Sequence, residues 1–185
     1  FFFEGGDLLS DSTNAYVAAT LLARNRPWSQ DNPESLIGTI GAVLGRRVVR
    51  VGLDADDVPD HHIGMYLTPL GDNAVAVGDP LLGRALSAKL PDGGRSLDVE
   101  TNEAAYAPFL RVQNELRRQG LRVVRVPLIL TRLPRSYVTY NNSILENRSG
   151  NKTIYMPVYG VPAVDEAARR IGLRRFGPRR AMSGM

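Results

Sequence analysis

The pentapeptide Arg-Val-Val-Arg-Val occurs twice, at 47–51 and at 122–126, each time shortly after a glycine, Gly45 or Gly120. β-Branched residues favour strands, and glycine is the residue most at ease in the left-handed conformation that closes a helix. Each copy therefore reads as a strand entered from a helix. The residues ahead of each copy repeat the same order of signals, which restricts the chain to folds built from one recurring unit.

The first unit opens with an apolar run, Phe1-Phe2-Phe3, entering Glu4-Gly5-Gly6-Asp7 and Leu8-Leu9, with a second apolar segment at 15–22. A helix follows: Asn32 can cap it, Pro33 suits its first position and Glu34 suits its positive end. Leu36, Ile37, Ile40, Val43 and Leu44 fall on one helical face. The second unit begins with Ile63, Met65 and Leu67 alternating as in a strand. It continues through a Gly71-Asp72-Asn73 turn and a strand at Ala74–Val77, with a short helix over 80–90 and a longer one over 102–119. The third starts with the strand-like run from Tyr137 to Leu145 and a turn over 148–151. It goes on to a strand at 152–156 and a helix through Asp165, Glu166, Ala167 and Ala168. Gly172-Leu173-Arg174 copies the Gly120-Leu121-Arg122 that leads into the second pentapeptide, yet no strand follows, only an Arg-rich tail over 174–185. Units of strand, strand, helix and strand at this spacing suggest small modules packed about an axis. The alternative is an ordinary α+β sandwich in which the pentapeptide recurs by chance.

The basic pI of 9.7 raises nucleic acid as a partner, but the charge is local. Of the 23 Lys and Arg, six lie at Arg169, Arg170, Arg174, Arg175, Arg179 and Arg180; the remaining 17 face 19 Asp and Glu. The body is thus nearly neutral, without the basic face that phosphate binding requires. No apolar run approaches the roughly 20 residues that span a bilayer. The opening on Phe-Phe-Phe, with neither an initiator Met nor a signal peptide, reads as a fragment of a cytoplasmic protein. The absence of cysteine from all 185 residues excludes disulfides, Cys-ligated zinc and thiol catalysis by these residues.

Three groups of residues could carry chemistry. In Glu4-Gly5-Gly6-Asp7 the glycines let backbone approach a ligand while the carboxylates hold a cation. In Asp60-His61-His62-Ile63-Gly64, a histidine oriented by a carboxylate suits general acid/base work. Neighbouring residues on a strand face opposite ways, so the two histidines should not share a metal ion, and no metal or cofactor is expected. In Tyr140-Asn141-Asn142 and Met156-Pro157-Val158-Tyr159-Gly160, side-chain hydrogen bonds could orient a ligand, although taken alone they are better accounted for by ordinary turn chemistry.

Taken in order, Phe3-Glu4-Gly5-Gly6-Asp7, His62-Ile63-Gly64-Met65, Tyr140-Asn141-Asn142 and Tyr155-Met156-Pro157-Val158-Tyr159-Gly160 with Asp165-Glu166 resemble the pentein superfamily. That group includes arginine deiminases, agmatine deiminases, peptidylarginine deiminases and amidinotransferases. The resemblance spans about 1–173. It implies an α/β fold, a five-bladed α/β propeller of ββαβ modules. About three would be present in this partial catalytic domain, over 1–52, 60–127 and 136–173. It also implies a small guanidine or an arginine-containing peptide as substrate, with Glu4 binding the guanidinium and His62 acting as the acid/base. Gly6, Asp7 and Asn142 would complete the substrate site.

Three departures from the family pattern matter, the first being that an upstream Asp which contributes in the family falls in a region absent from these residues. The position two residues after His62, often Asp in the family, is Gly64. The nucleophilic cysteine is missing, and the segment Gly177-Pro178-Arg179-Arg180-Ala181-Met182 only faintly resembles its surroundings, with Ala181 in its place. The sequence-level expectation is therefore a deiminase fragment. An amidinotransferase of the same fold or a non-catalytic binding homologue are the alternatives.

Overall fold

A computed structural model describes residues 2–28, 32–133, 136–148 and 151–176. The chain is a mixed α/β fold in which three sheets carry the strands. The first sheet has the order β1 (Leu8–Ser10), β2 (Asn14–Ala18), β3 (Arg47–Val51), with helices α1 (Ala19–Arg24) and α2 (Pro33–Leu44) between the last two strands. The second has the order β4 (Leu67–Gly71), β5 (Ala74–Asp79), β6 (Arg122–Leu130), β7 (Tyr137–Thr139), with α3 (Pro80–Ser87) and α4 (Ala107–Arg118) between β5 and β6. The third is the hairpin β8 (Ile144–Arg148) and β9 (Asn151–Tyr155), followed by α5 (Pro162–Phe176).

The two pentapeptides occupy the same place in their sheets. β1 runs antiparallel to β2, and β4 antiparallel to β5. The central strand then pairs in parallel with the pentapeptide, Asn14 opposite Arg47 in one case and Ala74 opposite Arg122 in the other. Val49 and Val51 are buried in the first copy, and Val124 and Val126 in the second, so the same alternation serves both. The helical crossover between parallel strands is what such a connection demands.

Amphipathic α4 ties the first two sheets into one core. Its Phe109, Val112 and Leu116 join a cluster with Tyr16, Val49 and Val51 of the first sheet and Val75, Val77 and Leu128 of the second. Each such side chain contributes about 1.5–3 kcal/mol when fully buried. This packing places the two sheets side by side and brings the start of β1 next to the approach to β4.

The helix signals of α2 hold at both ends. Asn32 accepts a hydrogen bond from the Glu34 N–H at 3.1 Å, and Gly45 closes the helix with φ 59°. Its expected apolar face is only partly covered: Leu36 is buried, while Val43 is 78% exposed. The turn between β4 and β5 places Asp72 and Asn73 at φ 52° and 53°, the conformation a two-residue hairpin needs and Asn tolerates.

Four elements depart from the sequence reading. Ile63 and Met65 do not alternate in a strand; Ile63–Met65 is a 3₁₀ turn, and β4 begins at Leu67. The buried residues there are Ile63 and Tyr66, three apart, which is the 3₁₀ repeat rather than the strand repeat. The expected helix from 102 starts instead as a 3₁₀ turn at Glu103–Tyr106 before α4. The run from Tyr137 to Leu145 is not one strand: Tyr137–Thr139 adds to β6 as the edge of the second sheet, and a new hairpin starts at Ile144. Finally, α5 passes through Gly172 to Phe176, so 174–176 belong to a helix and not to an irregular tail. Gly172 lies over Met156 and Ile154, where a Cβ would make only ordinary contacts, at 3.4 and 3.9 Å. Ala181 lies outside the described residues, and among those described no helix is long and apolar enough to cross a membrane.

Candidate functional site

The acidic turn is built from the end of α1. Asn25, buried directly after α1, accepts from the Phe2 N–H and donates to the Phe2 carbonyl, both at 2.7 Å. Its Nδ2 also donates to Leu21 O at 2.9 Å, which fixes the side chain to its own helix. The chain then turns through the 3₁₀ segment Gly5–Asp7, with the Asp7 N–H donating to Glu4 O at 2.9 Å. Asp7 is 2% exposed; its Oδ2 accepts from the Glu4 N–H at 3.3 Å and its Oδ1 accepts from Arg24. A buried carboxylate needs such partners.

Arg24, the last residue of α1, reaches both acids. Nη2 meets Asp7 Oδ1, and Nη1 lies 3.3 Å from Glu4 Oε2. The Phe2 ring covers the guanidinium, with its centroid 5.5 Å from Cζ, a cation–π distance. Neither Arg24 nor Asn25 stands out in the sequence. The only local hint is a cation in the last turn of a helix, where Arg is common for other reasons.

His62 enters from the loop before β4, at the start of the Ile63–Met65 turn. Its ring packs closely against Gly6: a Cβ at that position would fall 2.5 Å from both Cγ and Nδ1. The glycine expected to admit a ligand instead admits this imidazole. Nδ1 stands 3.9 Å from Glu4 Oε2, and both side chains are about half exposed. The His61 ring stands 5.2 Å from that of Tyr137 and 5.5 Å, edge-on, from that of His62, and its Nδ1 accepts from the His62 N–H at 2.8 Å. The two imidazoles thus stay in contact at a turn, and the opposite-face arrangement expected from strand alternation does not occur.

Next along the chain from Met65, Tyr66 is fully buried, and its hydroxyl has no hydrogen-bond partner among the described residues. Burial pushes this phenol well above its ordinary range, with smaller contributions from Tyr137 and Asp7. It stays a neutral wall of the core.

Glu4, Asp7 and His62 offer one ligand atom each within 4.8 Å of one another, a spacing suited to a metal ion. The guanidinium of Arg24, however, already sits on both carboxylates as their counter-charge. The half-exposed Glu4–His62 pair is what remains open: an anion and a proton carrier side by side, able to hold a planar cation and pass it a proton.

Of the other expected site residues, Gly6 and Asp7 lie beside this pair and Asn142 is not tied to it. Asp7 has each oxygen engaged inside the protein, by the Glu4 N–H and by Arg24. Asn142 is exposed in the loop between β7 and β8, and no hydrogen bond or ion pair among the described residues ties it to Glu4 or His62. Its neighbour Asn141 is buried and donates to Ala76 O at 3.0 Å, while its carbonyl accepts from Thr68 Oγ1. The Tyr140 hydroxyl donates to Asp165 Oδ1 at 2.6 Å, and Asp165 also accepts from the N–H groups of Tyr159 and Val161, at 3.1 and 2.9 Å. Burial and that carboxylate raise the Tyr140 pKa. The third group of sequence candidates is thus a clamp that fixes the 156–160 loop to the start of α5.

No protein-family model matches the sequence, and no curated protein matches it. In structure the chain is similar to agmatine deiminase of C. jejuni, with a TM-score of 0.62 and 19% identity over 94% of this chain and 47% of that one. A cysteine-to-serine form of the C. jejuni enzyme with substrate bound gives a TM-score of 0.60 at 19% identity, over 92% and 47%. Dimethylarginine dimethylaminohydrolase, as an adduct with S-methyl-L-thiocitrulline, gives a TM-score of 0.22 at 16% identity over 66% and 48%, too low to compare folds. The chain spans about half the length of the agmatine deiminase structures it matches and shares the fold of that half.

Proposed function

We propose that this chain supplies the guanidinium-binding and proton-transferring part of a hydrolase that cuts a C–N bond of an arginine-like guanidine. Its two similarly ordered sheets and the hairpin would be about three ββαβ modules, over 1–52, 60–127 and 136–173, of a five-bladed propeller acting in the cytoplasm. The single observation that carries the reading is the approach of Glu4 Oε2 to His62 Nδ1 at 3.9 Å on two half-exposed side chains, from segments far apart in sequence. The fold shared with agmatine deiminase supports it and makes agmatine the first substrate to test, ahead of arginine and peptidyl-arginine.

A guanidinium is planar, cationic and resonance-stabilised. In this reading Glu4 accepts hydrogen bonds from its nitrogens, which orients the carbon and balances the charge. A thiolate attacks that carbon, and His62 gives a proton to the departing nitrogen, which leaves as ammonia. Water, deprotonated by the same imidazole, then adds to the thiouronium carbon, and the C–S bond breaks to leave a ureido product and the free thiolate. The 185 residues contain no cysteine, so they carry the binding and proton steps and not the nucleophile. Asp7 acts from inside by fixing the turn.

Titration calorimetry of the chain with agmatine, arginine and an arginine-containing peptide tests the binding half. Glu4→Gln is expected to weaken the best ligand by about 10–100-fold, the loss of a charge-assisted hydrogen bond of about 1.5–3 kcal/mol. Unchanged affinity would remove Glu4 from the site.

A second reading, a binding homologue without catalysis, is favoured by Gly64. The position offers no carboxylate, and a Cβ there would meet only Leu9 Cδ2, at 3.9 Å. Agmatine binding that persists unchanged in His62→Ala, with no ammonia released by any natural form of the protein, would support it.

A further inference from the structure

Arg24 stands between two carboxylates of unlike exposure. Asp7 is buried, whereas Glu4 is half exposed and faces His62. A guanidinium in a guanidinium-binding site suggests a built-in competitor that a ligand must displace. Burial argues against this. Pulling Arg24 away would strand the Asp7 carboxylate without its counter-ion, a far larger loss than a half-exposed contact with Glu4 returns. The Phe2 ring and the Asn25 clamp on the Phe2 backbone hold the same segment from the other side.

We propose that Arg24 is a positioning residue: anchored on Asp7 through Nη2, it holds Glu4 Oε2 beside His62 through Nη1 and touches no substrate. The inference rests on the guanidine-site reading above. The fork of a guanidinium is needed for this, because its two nitrogens address two acids at once in a fixed plane. A lysine ammonium keeps the charge beside Asp7 but is a single point and cannot bridge to Glu4.

The test is agmatine affinity of the chain, by calorimetry, in wild type, Arg24→Lys, Glu4→Gln and the double variant, with thermal melting of each. Arg24→Lys is expected to weaken binding about tenfold while melting close to wild type, and to add nothing once Glu4 is Gln, because its effect passes through Glu4. Affinity of Arg24→Lys within twofold of wild type would overturn the proposal and leave the guanidine site standing; tighter binding would mark Arg24 as the competitor. Failure of the wild type to bind agmatine, arginine and the arginine-containing peptide would withdraw the guanidine site and this inference together. A variant-free measurement covers the case in which Arg24→Lys does not fold. The Arg24 guanidinium protons of the wild type should exchange slowly in NMR spectra and keep their shifts when agmatine is added. Their release to free-arginine behaviour on adding agmatine would overturn the proposal.

Discussion

Two polar clusters look alike in the sequence and differ in the structure. Glu4, Asp7, Arg24 and His62 meet where the first sheet touches the approach to the second; Tyr140, Asp165 and the 156–160 loop meet at the start of α5. In the second cluster one carboxylate accepts three donors and the arrangement closes on itself. In the first, the inner acid is saturated in the same way, but the outer acid and the imidazole keep half their surface. Polar residues whose bonds are all made internally hold a fold together; a charged pair left half open has capacity for a ligand.

The largest expected effect that separates the two falls on the closed cluster. Asp165→Ala should cost about 3 kcal/mol, since three donors lose a charged acceptor, and should leave agmatine affinity unchanged. Thermal melting alongside calorimetry checks both halves, and a change in affinity would join the two clusters functionally. Gly6→Ala should act in the opposite sense. The added methyl must push the His62 ring away, because no imidazole can remain 2.5 Å from it. Overpacking of this kind costs about 1–3 kcal/mol, and catalytic turnover in any active form should fall further than stability does. Retained turnover would show that the ring is not needed where it lies. The smallest effect belongs to Gly64→Asp. There is room for the side chain, and a second half-exposed acid near Glu4 and His62 should tighten agmatine binding by about three- to fivefold, as a modest exposed charge pair does. Weaker binding would place the ligand elsewhere.

Local physics made much of the fold legible. The cap at Asn32, the Pro33 start, the Gly45 stop and the Asp72-Asn73 turn depend on their own backbone and were read correctly. So was the strand at each Arg-Val-Val-Arg-Val, because β-branched runs after helix stops have few other uses. What depended on distant neighbours was not legible. The Ile63–Met65 turn looks like a strand until Tyr66 is seen to be buried, and Tyr137–Thr139 belongs to β6 only because β6 runs on through Leu130.

At the site, the order of short motifs singled out Glu4 and His62, and they lie together. The burial of Asp7 and the reach of Arg24 could not be read, since both are set by how α1 ends against the turn. Asn142 is exposed, while its neighbour Asn141 is held against the sheet, a difference set by the long-range bond to Ala76 O.

The unequal depth of the two acids gives the cluster one end that dissolved ions can reach and one they cannot. Counter-ions crowd around exposed charges and are kept from enclosed ones, and the screening length is only about 8 Å at physiological ionic strength. Raising the salt should therefore loosen whatever Glu4 holds while Arg24 stays on Asp7. The fastening that supports the turn is thereby insulated from the medium in which its outer carboxylate has to work.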